Sequence, residues 1–200
     1  MGLLSGALSF VRYHIVGQEP DPFWSAIDER IRAFAFRETE SGAEEVSMGW
    51  VGLDSMLDTD FAYANYAAGD YLTFSFRTDR KSIPGALVRK HVLEAERKLK
   101  ADSGRKRISR QELVEVRERA KISLMAKSLA VPSIYDVCWC ISKKWLIFSG
   151  VSSKIRTEFE GYFKRCFELE LMPFFPWDAT NLPENLAVRL SLLEPEIFVG

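Results

Sequence analysis

Two histidines and three cysteines are few for a chain of 200 residues, and each shortage removes a class of chemistry. A closed zinc site needs four ligands at recognisable spacings. Cys138 and Cys140 share a strand face by the two-residue period, but no second pair accompanies them. Cys166 and His91 are the remaining candidates, so core packing is the reading for the thiols and no metal is expected. An odd, low cysteine count also excludes a disulfide framework and fits reduced thiols in the cytoplasm. His14 falls in an apolar strand pattern and His91 in a helical one, and no Ser or Cys stands in a nucleophile motif, so a catalytic triad has no support. No Gly-Lys-Ser or Gly-Lys-Thr phosphate loop occurs. Long hydrophobic runs are missing as well. Charges interrupt them, Arg12 among the earliest, well short of the ~20 apolar residues a membrane span needs. The apolar first ten residues carry no basic leader and no clear small-residue cleavage site. The expectation is a soluble, cytoplasmic, non-membrane protein with no signal peptide, no cofactor and no catalytic residues.

What the chain does hold is apolar bulk, 47% hydrophobic and 12% aromatic, enough for one core or one core with an excursion. Its charge is unevenly spread. Residues 77–127 carry 16 Lys and Arg against 7 Asp and Glu, a surplus of nine, and the remainder carries 11 against 21, so the net charge of −1 hides two opposite halves. Such asymmetry marks a surface for nucleic acid or an acidic partner, or else a solvated helix pair.

Residues 7–16 read as a strand. Asp21-Pro22 then signals a helix start, with Trp24, Ile27, Ile31 and Phe34 at helical spacing. Met48-Gly49-Trp50-Val51 is a short apolar run, followed by the acids Asp54, Asp58 and Asp60, which read as a solvated loop and not as a hard-cation cluster. Residues 71–76 alternate as a strand. After Pro84, the positions Val88, Val92, Ala95 and Leu99 form one helical stripe. Asp102-Ser103-Gly104 interrupts it, and Ser109 with Glu112 forms a capping-box signature for a second helix with stripe Leu113, Val116, Ala120 and Leu124. Glu115 and Arg119 make a favourable pair within it. Together these predict an αα-hairpin with Arg105-Lys106-Arg107 at its tip, ended by Pro132. Residues 134–141 and 145–149 have the spacing of a β-hairpin across Ser142-Lys143-Lys144. Ser152 or Ser153 caps a helix carrying Ile155, Phe159, Phe163 and Phe167 at every fourth residue. Pro173 and Pro176 forbid regular structure around Phe174-Phe175, and Phe174, Phe175 and Trp177 are candidates for an exposed patch. Leu186, Val188, Leu190 and Leu192 alternate with smaller or polar residues, predicting a last strand with one buried face. The fold class is α+β: a mixed or antiparallel sheet with packed helices and a protruding basic αα-hairpin arm, residues 81–132, inserted into a core formed by 1–80 and 133–200.

The stretch Arg80-Lys81-Ser82-Ile83-Pro84, then Val88-Arg89-Lys90, Leu93-Glu94-Ala95-Glu96, Gly104-Arg105 and Ser109-Arg110-Gln111-Glu112, with Met48-Gly49-Trp50 upstream, resembles the RdgC family. Those are bacterial recombination-associated, nucleoid DNA-binding proteins. In element order the resemblance runs from about Phe10 to about Phe167. It implies a non-catalytic protein that binds duplex DNA with little sequence preference, dimerises into a ring around it and limits access of the recombinase. It also implies a central helical protrusion that helps close the ring, which the arm matches. Typical members continue well past Gly200, and their second arm helix ends in a Leu-Leu-Pro-basic-Ala-Phe pattern where this chain reads Ser123-Leu124-Met125-Ala126-Lys127-Ser128-Leu129. The chain thus resembles a short variant lacking the C-terminal part.

The residues expected to bind DNA are Arg89, Lys90, Arg97, Lys98, Lys100, Arg105, Lys106, Arg107 and Arg110, through phosphate contacts that carry no base information. The implied partners are duplex DNA, further copies of the chain and recombination proteins, at the nucleoid. The alternative is an oligomerisation or protein-interaction module whose basic arm docks an acidic partner and never touches DNA.

Overall fold

Apolar alternation and apolar helical spacing translate, among the described residues, into seven strands and five helices. The computed structural model describes residues 2–4, 7–38, 45–62, 66–104, 107–175 and 182–193. In chain order the elements are β1 (Val11–Val16), α1 (Phe23–Ala33), β2 (Val46–Val51), β3 (Ala67–Ala68), β4 (Tyr71–Lys81), α2 (Gly85–Ser103), α3 (Arg110–Lys127), β5 (Ala130–Cys140), β6 (Trp145–Phe148), α4 (Ser153–Phe167), β7 (Glu170–Pro173) and α5 (Glu184–Ser191). The strands run in the order β2-β4-β5-β6-β1-β7, with β3 beside β4. The pairings of β1 with β6 and β7, of β4 with β2 and β3, and of β5 with β6 are antiparallel. This is the expected α+β class. No described helix is long and apolar enough to cross a membrane.

The chain divides into two compact units. The first comprises Met1–Arg30, Ala64–Phe74 and Tyr135–Gly200. In it β1 sits between β6 and β7, with Tyr13 opposite Leu146 and Ile15 opposite Leu171. The two-residue period turns Tyr13, Ile15, Leu146 and Phe148 to one face, where all four are buried. Helix α4 covers that face because its aromatics recur every fourth residue. Phe159 stacks on Phe148 with centroids 3.8 Å apart and planes 4° from parallel, and Trp139 meets Phe163 at 5.5 Å and Phe167 at 5.4 Å. Ser152 caps the helix by accepting from the Ile155 amide. The Tyr13 hydroxyl donates to Glu160 at 2.9 Å, and burial, reinforced by that carboxylate, pushes the phenol pKa well above its ordinary value.

The β5–β6 turn is tied down by Asp70, which precedes β4. Its carboxylate accepts from the Ser142 amide at 3.0 Å, from the Ser142 hydroxyl and from the Cys140 thiol at 3.2 Å. The Ser142 hydroxyl foremost, then the thiol, holds this exposed carboxyl below the usual carboxylate range.

The second unit comprises Ile31–Tyr63 and Ser75–Ile134. Here β2 pairs with the later part of β4, Gly49 opposite Arg77 and Trp50 opposite Phe76. Trp50 also exchanges backbone bonds with the segment after α1: its amide donates to Phe34 O at 3.0 Å, and the Phe36 amide donates to Trp50 O at 2.8 Å. That crossing explains the glycine in Met48-Gly49-Trp50, because a Cβ at position 49 would lie 2.2 Å from Phe36 Cα. Arg77 and Asp79, two apart on one face of β4, form a bidentate ion pair of 2.7 and 2.7 Å with side chains only 12% and 7% exposed. The guanidinium lies over the Phe36 ring at 4.1 Å and donates to Met56 O at 3.0 Å. The Asp79 carboxylate is the leading cause of the raised Arg77 pKa.

Three expectations are corrected. Strand β4 continues past Phe76 to Lys81, so Arg77, Arg80 and Lys81 belong to a strand and not to the basic helices. Strand β5 begins at Ala130, four residues before the predicted start, and Pro132 lies inside it. A strand tolerates proline near its beginning, where a missing donor costs least. The predicted last strand is instead helix α5: Pro183 fixes the backbone entering it, Glu184 occupies its first turn, and Leu186, Val188 and Leu190 are all exposed, so the alternation marks no buried face. Strand β7, not expected, runs to Pro173, and the Phe174 amide beyond it still donates to Arg12 O at 2.8 Å. In α1, Ile27 and Ile31 are buried as their spacing predicts, whereas Trp24 is half exposed.

Replacing Gly49 by Ala should lower stability by about 1–3 kcal/mol through overpacking against Phe36, read as a lower denaturant midpoint with an unchanged slope; an unchanged midpoint would contradict the crossing. The Asp70 carboxyl, depressed in the folded state, stabilises above the unfolded carboxylate pKa and loses that contribution as pH falls through the folded value. The stability gap between wild type and Asp70→Asn should therefore narrow on acidification, measured by urea melts from neutral to acid pH. A constant gap would refute it.

Candidate nucleic-acid interface

Helices α2 and α3 are consecutive and pack on each other. The turn between them starts at Gly104, a C-cap with φ of 66°, a backbone region glycine enters without strain. Ser109 closes it as the N-cap of α3: its hydroxyl accepts from the Glu112 amide at 3.1 Å and the Glu112 carboxylate accepts from the Ser109 amide at 2.8 Å. The predicted capping box is thus present in both halves. The seam between the helices is narrow. Val92 on α2 and Val116 and Leu124 on α3 are buried, and the remaining apolar positions of both helices are partly or fully exposed.

All seven described members of the expected DNA-binding set are exposed: Arg89, Lys90, Arg97, Lys98 and Lys100 on α2, Arg107 before α3 and Arg110 at its first residue. Arg105 and Lys106 lie outside the described residues. Lys90 and Arg97, seven residues apart, fall on one line of α2 about 10 Å from each other. Lys90 pairs with Glu94 at 3.9 Å and Lys100 with Glu96 at 3.7 Å. Exposed pairs of that length are worth about 0–1 kcal/mol and yield readily to a stronger anion. Arg89, Arg97, Lys98, Arg107 and Arg110 have no ion-pair partner among the described residues. On α3 the acids intervene: Glu115 engages Arg119 at 3.4 Å, the pair predicted from the sequence, and Glu118 engages Lys121 at 3.4 Å.

Between the helices runs a groove of about 600 Å³. Val88, Val92, Leu93 and Leu113 line its apolar floor, and Arg89, Arg117 and Lys121 bring cations to it against the acid Glu96. Sequence patterning did not mark Arg117 and Lys121 as members of this feature. Their signal lay in the wheel of α3, where both stand one turn apart beside the Leu113 position.

Other candidates resolve into structural roles. Cys140 and Cys166 are buried, and the Cys166 thiol donates to Arg30 O at 3.6 Å. Burial pushes the half-buried Cys138 thiol up. His91 is exposed on α2 beside Glu94 at 3.9 Å. Asp58 buttresses its own loop, accepting from the Phe61 amide at 3.2 Å. The Phe174 ring covers the Arg12 guanidinium at 4.6 Å and meets His14 at 5.2 Å, and Phe175 is 44% exposed; Trp177 lies outside the described residues. No group of three or more His, Cys, Asp or Glu among the described residues stands close enough to hold one metal ion.

Compared with known proteins, residues 14–186 match the family model described as "RdgC: Putative exonuclease, RdgC". No curated protein matches the chain.

Proposed function

The chain belongs to the RdgC family, and from that premise we propose that it binds duplex DNA without sequence preference, as a homo-oligomer, through phosphate contacts from the cations of α2 and of the turn leading into α3. The observation that carries this reading is the set of exposed cations with no ion-pair partner among the described residues, Arg89, Arg97, Lys98, Arg107 and Arg110, to which Lys90 and Lys100 add their loosely held charges. Such side chains displace condensed counterions from phosphates, an entropic gain indifferent to base sequence. Arg105 and Lys106 extend the same run in the sequence. Each helix carries five cations against three acids, Glu94, Glu96 and Asp102 on α2 and Glu112, Glu115 and Glu118 on α3, so both helices contribute to the contact. In this reading residues 81–132 act as an inserted DNA-contacting arm on a core of residues 1–80 and 133–200. The protein then works at the nucleoid, beside recombination proteins.

The reading is of a non-catalytic protein, although the family description names an exonuclease. It carries forward the expectation from the sequence, in which no nucleophile motif or metal-ligand spacing stands out.

Replacing Arg105, Lys106 and Arg107 together by Ala should weaken binding to unrelated duplexes by the same factor, and should shallow the salt dependence by roughly 0.9 in log-log slope for each phosphate that the variant no longer engages. Equal affinity in variant and wild type, or a weakening confined to one sequence, would count against phosphate binding by the turn. Incubated with Mg²⁺ or Mn²⁺, the protein should leave end-labelled single and double strands intact over hours. Progressive release of mononucleotides that tracks the purified protein would overturn the non-catalytic reading.

A further inference from the structure

In the first unit α4 covers one face of the sheet, and the opposite face carries an arginine with no acid beside it. Arg12 and His14 of β1 alternate with the buried Tyr13 and Ile15, so the two-residue period turns them away from α4. Trp145 of β6 and Met172 of β7 both stand opposite His14, which sets them on the same side. Rings from both neighbouring strands flank the Arg12 guanidinium, Trp145 at 5.4 Å and Phe174 at 4.6 Å. Those rings are themselves engaged further out: Phe174 meets His14 at 5.2 Å, and Trp145 meets Tyr71 at 6.2 Å, both edge-on. Cation–π attraction of this kind fixes a guanidinium in place without consuming its N–H donors.

Those donors are unspent. The Arg12 Nε is buried with no acceptor, and the side chain has no hydrogen-bond or ion-pair partner among the described residues. Two lysines of the same unit are already held, Lys144 by Glu19 at 3.2 Å and Lys164 by Glu170 at 2.6 Å. The charge that Arg12 offers is therefore a single one, and apolar side chains that reach water frame it: Met172 is 55% exposed, Val16 43% and Tyr71 41%. One guanidinium matches one carboxylate in a two-bond fork, whereas a phosphate monoester brings close to two charges. A nucleotide base also finds little open ring to stack on, because Arg12, His14 and Tyr71 already occupy Phe174 and Trp145. The face is shallow, and β7 is the last strand on its side of the sheet, where an extended chain can lie along the edge.

We infer that this face captures the C-terminal end of another polypeptide, its free carboxylate on the Arg12 guanidinium and an apolar last side chain against Trp145, Phe174 and Met172. The ligand carboxylate supplies the acceptor that Arg12 lacks, and the apolar side chain covers surface that Met172 now exposes to water. The site belongs to the first unit and uses none of the cations of α2 and α3, so it stands or falls separately from phosphate binding.

Fluorescence anisotropy of a fluorescein-labelled peptide ending in -Ser-Gly-Leu, titrated with the full chain, tests the contact. The free acid should bind saturably and the C-terminal amide about tenfold more weakly or worse. Arg12→Met, which keeps bulk and removes the charge, should bring the acid down to the level of the amide, and Arg12→Lys, which keeps the charge but loses the fork, should fall between. Equal affinity for acid and amide, an Arg12→Met variant that binds as wild type does, or no saturable binding at millimolar peptide would overturn the proposal. So would displacement of the peptide by adenosine monophosphate at a lower concentration than by N-acetylleucine, which would assign the guanidinium to phosphate. Should Arg12→Met fail to fold by circular dichroism, Met172→Asp at the exposed position decides: loss of acid binding supports the contact, and unchanged binding overturns it.

Discussion

Val92, Val116 and Leu124 are the buried side chains of two helices that together span 37 residues, 19 in α2 and 18 in α3. Fully burying one such side chain stabilises by about 1.5–3 kcal/mol, so this seam holds α2 and α3 together with little to spare. The rest of the pair follows from that constraint. A narrow seam leaves most of each helical circumference to solvent, and exposed positions on a helix can be filled with Lys and Arg at no packing cost, their stems lying along the surface with the charges in water. The same narrowness leaves Leu93, Val114 and Ile122 more than half exposed. The helix pair offers charge and apolar surface at once, and both properties trace to the small number of residues that face inward. Local devices compensate for the thin seam. The Ser109–Glu112 capping box and the Gly104 C-cap fix where the helices stop and start.

The first unit is built in the opposite manner. Phe148, Phe159, Phe163, Phe167 and Trp139 form a continuous aromatic layer between the sheet and α4, each 1% exposed or less. Aromatic contacts of this kind bury large area and add directional ring–ring attraction. The acidic surplus outside residues 77–127 is shared by both units, whereas the basic surplus lies almost wholly on and around the helix pair. The cations thus gather where the packing is shallow and aliphatic, and the deep aromatic layer carries none of them.

What could be read from the sequence was what local chemistry decides. Helix α4 was legible because four apolar residues recur at strict spacing behind a serine cap, and α3 because its capping box sits at the required separation. The β5–β6 hairpin was legible from its turn. The features missed depend on partners distant in sequence. That β4 runs on to Lys81 depends on β2, which pairs with it as far as Val46 opposite Arg80, and without that partner Arg77 looked like one more cation of the basic stretch. Strand β7 exists through its pairing with β1, at the far end of the chain. The alternation of Leu186 to Leu192 mimicked a strand, whereas Pro183 and Glu184 carried the helix-start signal that should have outweighed it. In the candidate interface the individual cations were visible, but the groove they border was not, since it is formed by the facing of two helix surfaces.

Phosphate contact by the cations of α2 and the turn is the central claim. Fluorescence anisotropy of a labelled duplex of mixed sequence, titrated with the intact chain at a series of salt concentrations, tests it most directly. With about five phosphates engaged, the logarithm of the binding constant should fall linearly with the logarithm of salt at a slope of about −4.5. Failure to bind at the lowest salt, or an affinity that salt leaves unchanged, would contradict it.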